Sequence, residues 1–535
     1  MKKIHAFFLF WFIVALFFLL SCKKEGNLSW NADLSGPIAK ANLSIKNLLP
    51  DSVLITDPDS ALRIVFNETV FNFAIDSLVA IPDTTIDTSY SAPLGGINFT
   101  SGQQVFSSPA TELNFGINGA DISFLQLKKG VIKLEATNSV SEAVVLKYDL
   151  LNTQLSGSPF SVVQQVPAGS IAQPGSSVAY YTIDGLSMNL SGISGNKFNT
   201  LVTKSTVDID PSANPGVINV NEGIGVKLTF MGVIPLYAKG YLGSQIFSAA
   251  SETVDFDFFR GINAQQFLLQ DANVDLKLSN GFGADVSASG VSFTSVNSKT
   301  GNNVLLSGNG VNSSYNLNRA VFNPASTNPV TPGSKIIQLN SSNSNIKQFI
   351  ENLPDKFSYS TTAQINPYGN VSGNNDFIYY GSGLRADLEM NIPLAFSAVN
   401  LSLLDTVDFD FSGFSGAGQI NGGKLTLRVN NGYPFNAQIQ AFLLNEQQVI
   451  TDSLFSSPNI ALAGNTNANQ IVVNPVLSLL EIPLSPEKIQ YLTQAKKIIF
   501  KVVMNTVSQP QVVKLYEHYN LDFVLTGDIN YSVNR

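Results

Sequence analysis

Apolar and polar residues alternate along most of the chain, most regularly over 131–136, 226–230 and 424–429. Because successive side chains of a β-strand point to opposite faces, this alternation predicts strands that bury one face and expose the other. Steps such as Asn280-Gly281 and Gly422-Gly423 separate these stretches and are typical of tight turns. We therefore expect an all-β chain of immunoglobulin-like or similar sandwiches.

Two short segments have apolar residues at helical spacing. One covers 345–353, and the other covers 486–497. In the second, Ser485 suits an N-cap and Pro486 suits the first helical turn. These are the two predicted helices in a chain with very little helix.

The chain contains an internal repeat. The sequence VDFDF stands at both 254–258 and 407–411, and the strand at 274–281 recurs at 425–432. A fainter copy of that strand lies at 132–139. The copies are about 150 residues apart, which is the usual size of a domain.

A second segment repeats between these copies. Residues 223–228 match 383–388, with weaker echoes at 61–66 and 520–525. A strand at each junction could complete the neighbouring sandwich and protect its sheet edge. We predict an elongated rod divided as follows: signal peptide 1–21, lipid anchor and tether 22–36, and sandwiches 37–222, 223–382 and 383–535.

Composition is consistent with a globular β-protein outside the cytoplasm. The 535 residues are 44% hydrophobic and 13% charged, so neutral polar side chains must cover much of the sheets. The formal net charge is −8, and no cluster of Lys and Arg follows residue 25. A nucleic-acid partner is therefore excluded.

The first 25 residues have the pattern of a targeting signal. Lys2 and Lys3 precede an apolar stretch at 6–20, and Leu19-Leu20-Ser21-Cys22 ends it. The pattern resembles a bacterial lipoprotein signal with its lipobox, and the stretch is short for a transmembrane span. The resemblance implies that Cys22 is the lipid-anchor residue, with acyl chains on its sulfur and amino group. Two or more chains hold a protein stably on a membrane.

The same resemblance implies a location. In the family, an aspartate after the cysteine retains the protein in the inner membrane, whereas this chain has Lys23. The outer membrane is therefore the expected site. The run Lys23-Lys24-Glu25 is similar to surface-export signals of some Gram-negative lipoproteins, which favours the cell surface and leaves the periplasmic face open. The expected partners are the membrane, through lipidated Cys22, and an envelope protein or a glycan.

The strand at 424–429 and the following NNGYPF at 430–435 resemble the late-embryogenesis-abundant type 2, or water-stress, β-sandwich. Residues 280–283 are similar to the same turn in the preceding repeat. The resemblance implies sandwiches rather than barrels.

Residues used in catalysis are scarce. Cys22 is the single cysteine, and His518 is the single histidine beyond His5. A Ser-His-Asp triad would need His518, which we place on a solvent-facing strand, and no Gly-x-Ser-x-Gly elbow accompanies it. We predict neither an enzymatic activity nor a cofactor or metal.

Carboxylates offer two further candidates. Asp255 with Asp257, and Asp408 with Asp410, share a strand face about 7 Å apart, which would suit an inverting glycosidase. The interleaved phenylalanines also fit a polar outer face over an apolar inner one, and we favour that interpretation. Four aspartates could bind calcium but lack the spacing of a calcium loop, and we interpret them as turn residues: Asp57, Asp59, Asp208 and Asp210.

Aromatic platforms for sugars are few. Trp30 falls in the predicted tether, and alternation places one tyrosine of each pair Tyr180-Tyr181 and Tyr379-Tyr380 in the core.

Three classes of function remain. We favour a non-enzymatic envelope lipoprotein whose tandem sandwiches serve a surface, structural or adhesion role. The first alternative is a carrier of lipid or another apolar ligand, suggested by 36 phenylalanines. The second alternative is a lipoprotein that binds glycans or processes them with carboxylates.

Overall fold

The computed structural model describes residues 29–74, 81–117, 119–256, 259, 262–411, 418–506 and 512–534. Antiparallel strands form the sheets, so the predicted all-β sandwich class is confirmed. No helix within the described ranges has the length and apolar character needed to cross a membrane.

The chain first forms strands whose partners come much later in the sequence. They are β1 (Ser29–Ser44), β2 (Leu54–Thr56), β3 (Leu62–Ala74) and β4 (Thr84–Ser91), with short 3₁₀ turns at Ile45–Asn47 and Asp51–Val53.

The first sandwich is formed by the next strands together with β4. One side has the strand order β4-β15-β8-β11, and the other has β13-β9-β10 with β6 and β7 beside β13. The strands are β5 (Ile97–Phe99), β6 (Gln104–Ser107), β7 (Thr111–Asn114), β8 (Asp121–Asn138), β9 (Val144–Leu155), β10 (Ser158–Val166), β11 (Gly175–Thr182), β12 (Ser187–Asn189), β13 (Thr200–Ile209), β14 (Gly216–Ile218) and β15 (Gly223–Tyr241).

The middle sandwich takes β3 as its edge strand. Its sheets have the orders β3-β27-β18-β24 and β16-β25-β19-β20. Its elements are β16 (Ile246–Asp255), β17 (Gln266–Leu269), β18 (Asn273–Asn280), β19 (Val286–Asn297), β20 (Asn302–Leu305), β21 (Ser314–Leu317), β22 (Val321–Phe322), β23 (Val330–Thr331), β24 (Gly333–Leu339), α1 (Ile346–Glu351), β25 (Lys356–Ile365), β26 (Asp376–Tyr379) and β27 (Gly383–Pro393). Of these, β17 belongs to a separate small sheet with two later strands, and β26 pairs with β15 of the first sandwich.

The third sandwich repeats the order of the middle one. Its sheets are β1-β39-β30-β36 and β29-β37-β31-β32. Its elements are β28 (Ala395–Val399), β29 (Leu401–Asp408), β30 (Gly418–Asn431), β31 (Ala437–Leu444), β32 (Ile450–Ser453), β33 (Asn459–Ala461), β34 (Asn465–Thr466), β35 (Val472–Asn474), β36 (Val476–Pro483), α2 (Pro486–Gln494), β37 (Lys497–Met504), β38 (Val513–Lys514) and β39 (Asn520–Asn534).

Both predicted helices are present at equivalent places, before β25 and before β37. In α2 the hydroxyl of Ser485 accepts a hydrogen bond from the amide of Lys488 at 3.1 Å, as its N-cap position requires. The helix ends at Gln494, earlier than predicted, because Lys497 already begins β37.

The N-terminal strands join the sandwiches in the reverse order of the later strands, so that the sandwiches are nested along the chain. Along the chain, β1 enters the third sandwich, β3 the middle one and β4 the first, whereas the remaining strands complete the first, middle and third sandwiches in turn. The boundaries therefore differ from the predicted consecutive ranges. The predicted starts Gly223 and Gly383 begin β15 and β27, which belong to the first and middle sandwiches.

The chain divides into two compact units. The central unit comprises 65–257 and 272–392 and holds the first and middle sandwiches. The terminal unit comprises 1–64, 258–271 and 393–535 and holds the third.

A buried asparagine ends the corresponding strand of every sandwich: Asn138 in β8, Asn280 in β18 and Asn431 in β30. Each side-chain amide donates to the carbonyl four residues ahead, at 2.8, 2.8 and 3.0 Å, and to a second carbonyl farther along. Each side-chain oxygen accepts from the backbone amide two residues ahead, at 2.8 to 2.9 Å. The side chain thus pairs three backbone groups where the chain leaves one sheet for the other, and these groups would otherwise be buried without partners.

Candidate functional site

The predicted lipid-anchor residue Cys22, with the signal peptide before it, lies outside the described residues. The predicted tether at 22–36 is too long, because β1 pairs with β39 from Ser29 onward. Trp30 therefore belongs to a sheet, opposite Val533, and is 58% exposed. The folded part of the chain therefore has an exposed indole, whereas the prediction had placed Trp30 in the tether.

The aspartates of the repeated VDFDF segment are surface groups. The side chains of Asp255 and Asp408 are 74% and 94% exposed, and each faces a lysine of the neighbouring strand at 3.8 and 4.0 Å. Phe256 and Phe409 point inward and are buried. These exposed carboxylates are paired with lysines at the surface of the sheet, which favours the outer-face interpretation. Asp257 lies outside the described residues.

Three of the four aspartates considered for calcium are held by donors of the protein itself. Asp59 accepts from Lys514 at 2.7 Å, and this hydrogen bond lowers the pKa of its carboxyl. Asp57 pairs with Arg63 at 2.9 Å. Asp210 accepts from the hydroxyl and amide of Ser212, which lower its pKa. The described residues contain no group of three or more Asp, Glu, His or Cys side chains arranged for a metal ion.

His518 lies in an exposed turn, whereas the sequence predicted a strand. Its ring lies beside those of Tyr516 and Tyr519, at centroid distances of 5.9 and 4.9 Å. The alternation prediction for the tyrosine pairs was wrong, because none of the four is buried. Tyr180 is 64% exposed, and Tyr380 lies under the ammonium group of Lys128 at 3.1 Å from the ring centroid.

The inside of the middle sandwich has a small apolar cavity. Its volume is about 50 Å³, and its lining includes Phe71, Ala288, Leu317 and Ala363. A site for a small organic ligand usually has a volume of roughly 300–1,000 Å³, whereas one water takes about 30 Å³ in the liquid. The cavity is therefore far too small for a lipid chain.

A larger groove of about 680 Å³ lies on the outer face of the same sandwich, across β3, β18, β24 and β27. Met390, which lies between Glu389 and Asn391 in β27 and is buried, also lines it. Seven polar residues line it, of which five are exposed while Asp275 and Asn340 are half-buried: Asn67, Asn273, Asp275, Gln338, Asn340, Glu389 and Asn391.

Strand register brings these residues together from distant parts of the sequence. Asp275 in β18 is directly opposite Glu389 in β27 on one side and Gln338 in β24 on the other. Asn273 is likewise opposite Asn391. Sequence reasoning missed this groove. The available signal was Asp275 itself, an acidic residue within a repeated strand whose other copies have Lys133 and Thr426.

No family model and no curated protein matches the chain. A crystal structure of a "putative secreted protein" from Parabacteroides distasonis is 10% identical, with 95% of this chain and 99% of that chain covered, at a TM-score of 0.25. Structures of broad bean stain virus and cowpea mosaic virus align at TM-scores of 0.17 and 0.15, with 9% and 10% identity, over 61% and 62% of this chain and 90% and 94% of those chains. Similarity at these levels carries no argument about function.

Proposed function

We propose that the protein is a non-enzymatic envelope lipoprotein, held on the outer membrane by acyl chains on Cys22, whose sandwiches form a surface scaffold with a binding role. The observation that carries this proposal is the threefold use of one sandwich closed by the same buried asparagine. The same framework is repeated, and most of the described carboxylates considered for catalysis or calcium binding are paired with other groups of the protein. This arrangement suits a protein that presents a surface better than one that turns over a substrate.

The anchor would connect closely to the folded chain. Seven residues lead from Cys22 to Ser29, a distance of at most about 25 Å when extended. From Ser29, β1 pairs with β39 up to Ser44. The tether would thus hold the third sandwich by a long strand rather than by a loose terminus.

The small cavity argues against the carrier alternative for the interior of the middle sandwich. A lipid carrier must enclose much of an acyl chain, and the cavity within the middle sandwich has room for little more than one or two waters.

Anchoring is tested by expressing the wild-type chain and Cys22→Ser in a Gram-negative host with a clickable fatty acid. We expect the wild type to carry the label and to sediment with outer membranes. We expect Cys22→Ser to lose both properties, while Lys23→Asp should retain the label and move to the inner membrane. An unlabelled wild type, or a Cys22→Ser protein that stays with the membrane, contradicts lipid anchoring. Protease shaving of intact cells then distinguishes the surface from the periplasmic face.

A further inference from the structure

The position of Asp275 can be compared in all three sandwiches because the buried asparagine fixes the register. Five residues before that asparagine stand Lys133, Asp275 and Thr426. Their partners on the next strand are Thr229, Glu389 and Thr526. The middle sandwich therefore differs from the other two in placing two carboxylates directly opposite each other.

In the first and third sandwiches, side chains of this face bond to one another. In the first, Lys133 pairs with Glu135 at 2.9 Å, and Thr229 shares a hydrogen bond of 3.1 Å with Thr85. In the third, Lys424 pairs with Glu481 at 2.5 Å, the hydroxyl of Ser35 donates to Asp528 at 2.7 Å, and that of Thr526 donates to a backbone carbonyl. Several polar side chains of both faces are therefore paired within the protein.

The corresponding face of the middle sandwich differs at its groove. Within the described part of the chain, six of the seven polar side chains of the groove have no hydrogen bond or ion pair to the protein, whereas the side-chain oxygen of Asn340 accepts from Ser342. No cation lines the groove. In the next row of the sheet, Asp387 is neutralised by Arg385 at 2.7 Å, and Lys277 is opposite it.

Like charges directly opposite on a sheet are destabilising, and nothing in the framework requires them, since threonine pairs or a lysine occupy the position elsewhere. Arrangements that violate a local rule of stability are expected at functional sites. The groove has the size of a ligand site, and unpaired donors and acceptors converge on it. Such a surface is suited to bind a ligand that forms hydrogen bonds.

The chemistry of the groove identifies the class of ligand. Two carboxylates disfavour phosphates, sulfates and acidic sugars. Four side-chain amides add N–H donors, which a metal ion or an ammonium group does not use, along with carbonyl acceptors. Hydroxyl groups both donate and accept hydrogen bonds. A chain of neutral sugars can therefore pair with the amide donors of the groove and with its carboxylate and carbonyl acceptors. We propose that the groove across β3, β18, β24 and β27 binds a neutral oligosaccharide. The proposal deepens the surface-binding role proposed above.

Binding is tested with the full chain purified in detergent, first on an array of neutral, acidic and amino sugars and then by calorimetry with the best neutral oligosaccharide. The double variant Asp275→Thr with Glu389→Thr copies the third sandwich, so the sheet should remain folded. We expect it to weaken binding by about tenfold or more, because two charged acceptors are lost. Asn273→Ala, a change at an exposed side chain without a protein partner, should weaken binding to a smaller degree.

Glu481→Gln, on the equivalent face of the third sandwich, is the matched control and should leave affinity unchanged. The proposal is overturned if no neutral sugar binds, if the double variant and Asn273→Ala bind as the wild type does, or if the ligands are acidic sugars or simple cations. Because Cys22 is not altered in these experiments, such a result would leave the anchoring test unaffected.

Discussion

The middle and third sandwiches have the same strand order but differently filled cores. In the middle one, Ala288 of β19 is opposite Ala363 of β25. At the same distance from the buried asparagine, the third sandwich has Ile439 opposite Val502, and both are fully buried. The two alanines line the cavity of about 50 Å³, and we expect the smaller side-chain volume at these positions to be its cause.

The sheets around these positions differ as well. In the middle sandwich, β25 pairs with β19 on one side and with β16 on the other, and both pairings shift register at nearly the same level of β25. The shifts lie between Ser289 and Ser292 of β19 and between Ala249 and Glu252 of β16. The corresponding strands of the third sandwich pair without a shift. Both versions keep the asparagine and the strand order. We therefore expect the fold to depend more on the polar corner, that is, the buried asparagine with its three backbone partners, than on complete core packing.

The strongest test of this view is removal of the corner in each sandwich. Asn280→Ala and Asn431→Ala would each leave three buried backbone groups without partners, at about 1–3 kcal/mol per group. We expect each change to lower the free energy of unfolding by about 4 kcal/mol, measured by urea denaturation with hydrogen exchange on peptides of β18 and β30. Asn421→Ala, at an exposed position of β30, is the control and should cost less than about 0.5 kcal/mol. A loss below about 1 kcal/mol in either sandwich would show that the corner does not hold it.

A smaller effect should follow from giving the third sandwich the core of the middle one. Ile439→Ala removes a fully buried side chain and should cost about 3 kcal/mol. Exchange should quicken in peptides of β31 and β37. A cost below about 1 kcal/mol would show that the third sandwich relaxes to fill the gap. Its tighter core packing would then not distinguish it from the middle sandwich.

These comparisons also show what the sequence could predict. Alternation identified the strands, and the repeated segments at 132–139, 274–281 and 425–432 are equivalent strands that end at Asn138, Asn280 and Asn431. A short asparagine-containing turn is visible in sequence because its residues are local. The side-chain hydrogen bonds that fix it reach only a few residues ahead, apart from one longer contact each.

Pairing between distant strands was not visible in the same way. Alternation shows which face of β1 is buried but does not identify β39, almost 500 residues away, as its partner. The nested order and the long β1 were therefore missed, as was the groove, whose facing residues Asp275 and Glu389 are brought together by register alone. Comparison of the repeats position by position would have singled out Asp275.

Filling the middle core should produce a modest gain. Ala288→Val adds two methyl groups next to the cavity and should raise the free energy of unfolding by about 1 kcal/mol, if the side chain adopts an unstrained rotamer. The change is read out as a higher urea midpoint and slower exchange in β19. Leu146, which stands at the equivalent position of the first sandwich, is already fully buried, and Leu146→Ile there should give no gain. An unchanged or lower stability of Ala288→Val would mean that the bulged sheet, rather than the two alanines, sets the cavity.

The smallest difference between the two sandwiches is one hydroxyl group, at the position two residues after the corner asparagine. The middle sandwich has Phe282 there and the third has Tyr433, and both rings are fully buried. Burial raises the pKa of Tyr433, because the phenolate would lose its hydration. A raised pKa in the folded state means that stability is fully present below the pKa of the unfolded tyrosine, near 10, and falls as the pH rises above it.

Tyr433→Phe should therefore unfold like the wild type at pH 7 but be more stable than it by about 1 kcal/mol at pH 11, as judged by urea midpoints at the two pH values. Other buried tyrosines titrate in both proteins, so the difference between the two isolates Tyr433. Equal alkaline sensitivity would show that the hydroxyl reaches water in the third sandwich, and that the two corners differ in more than a single oxygen atom.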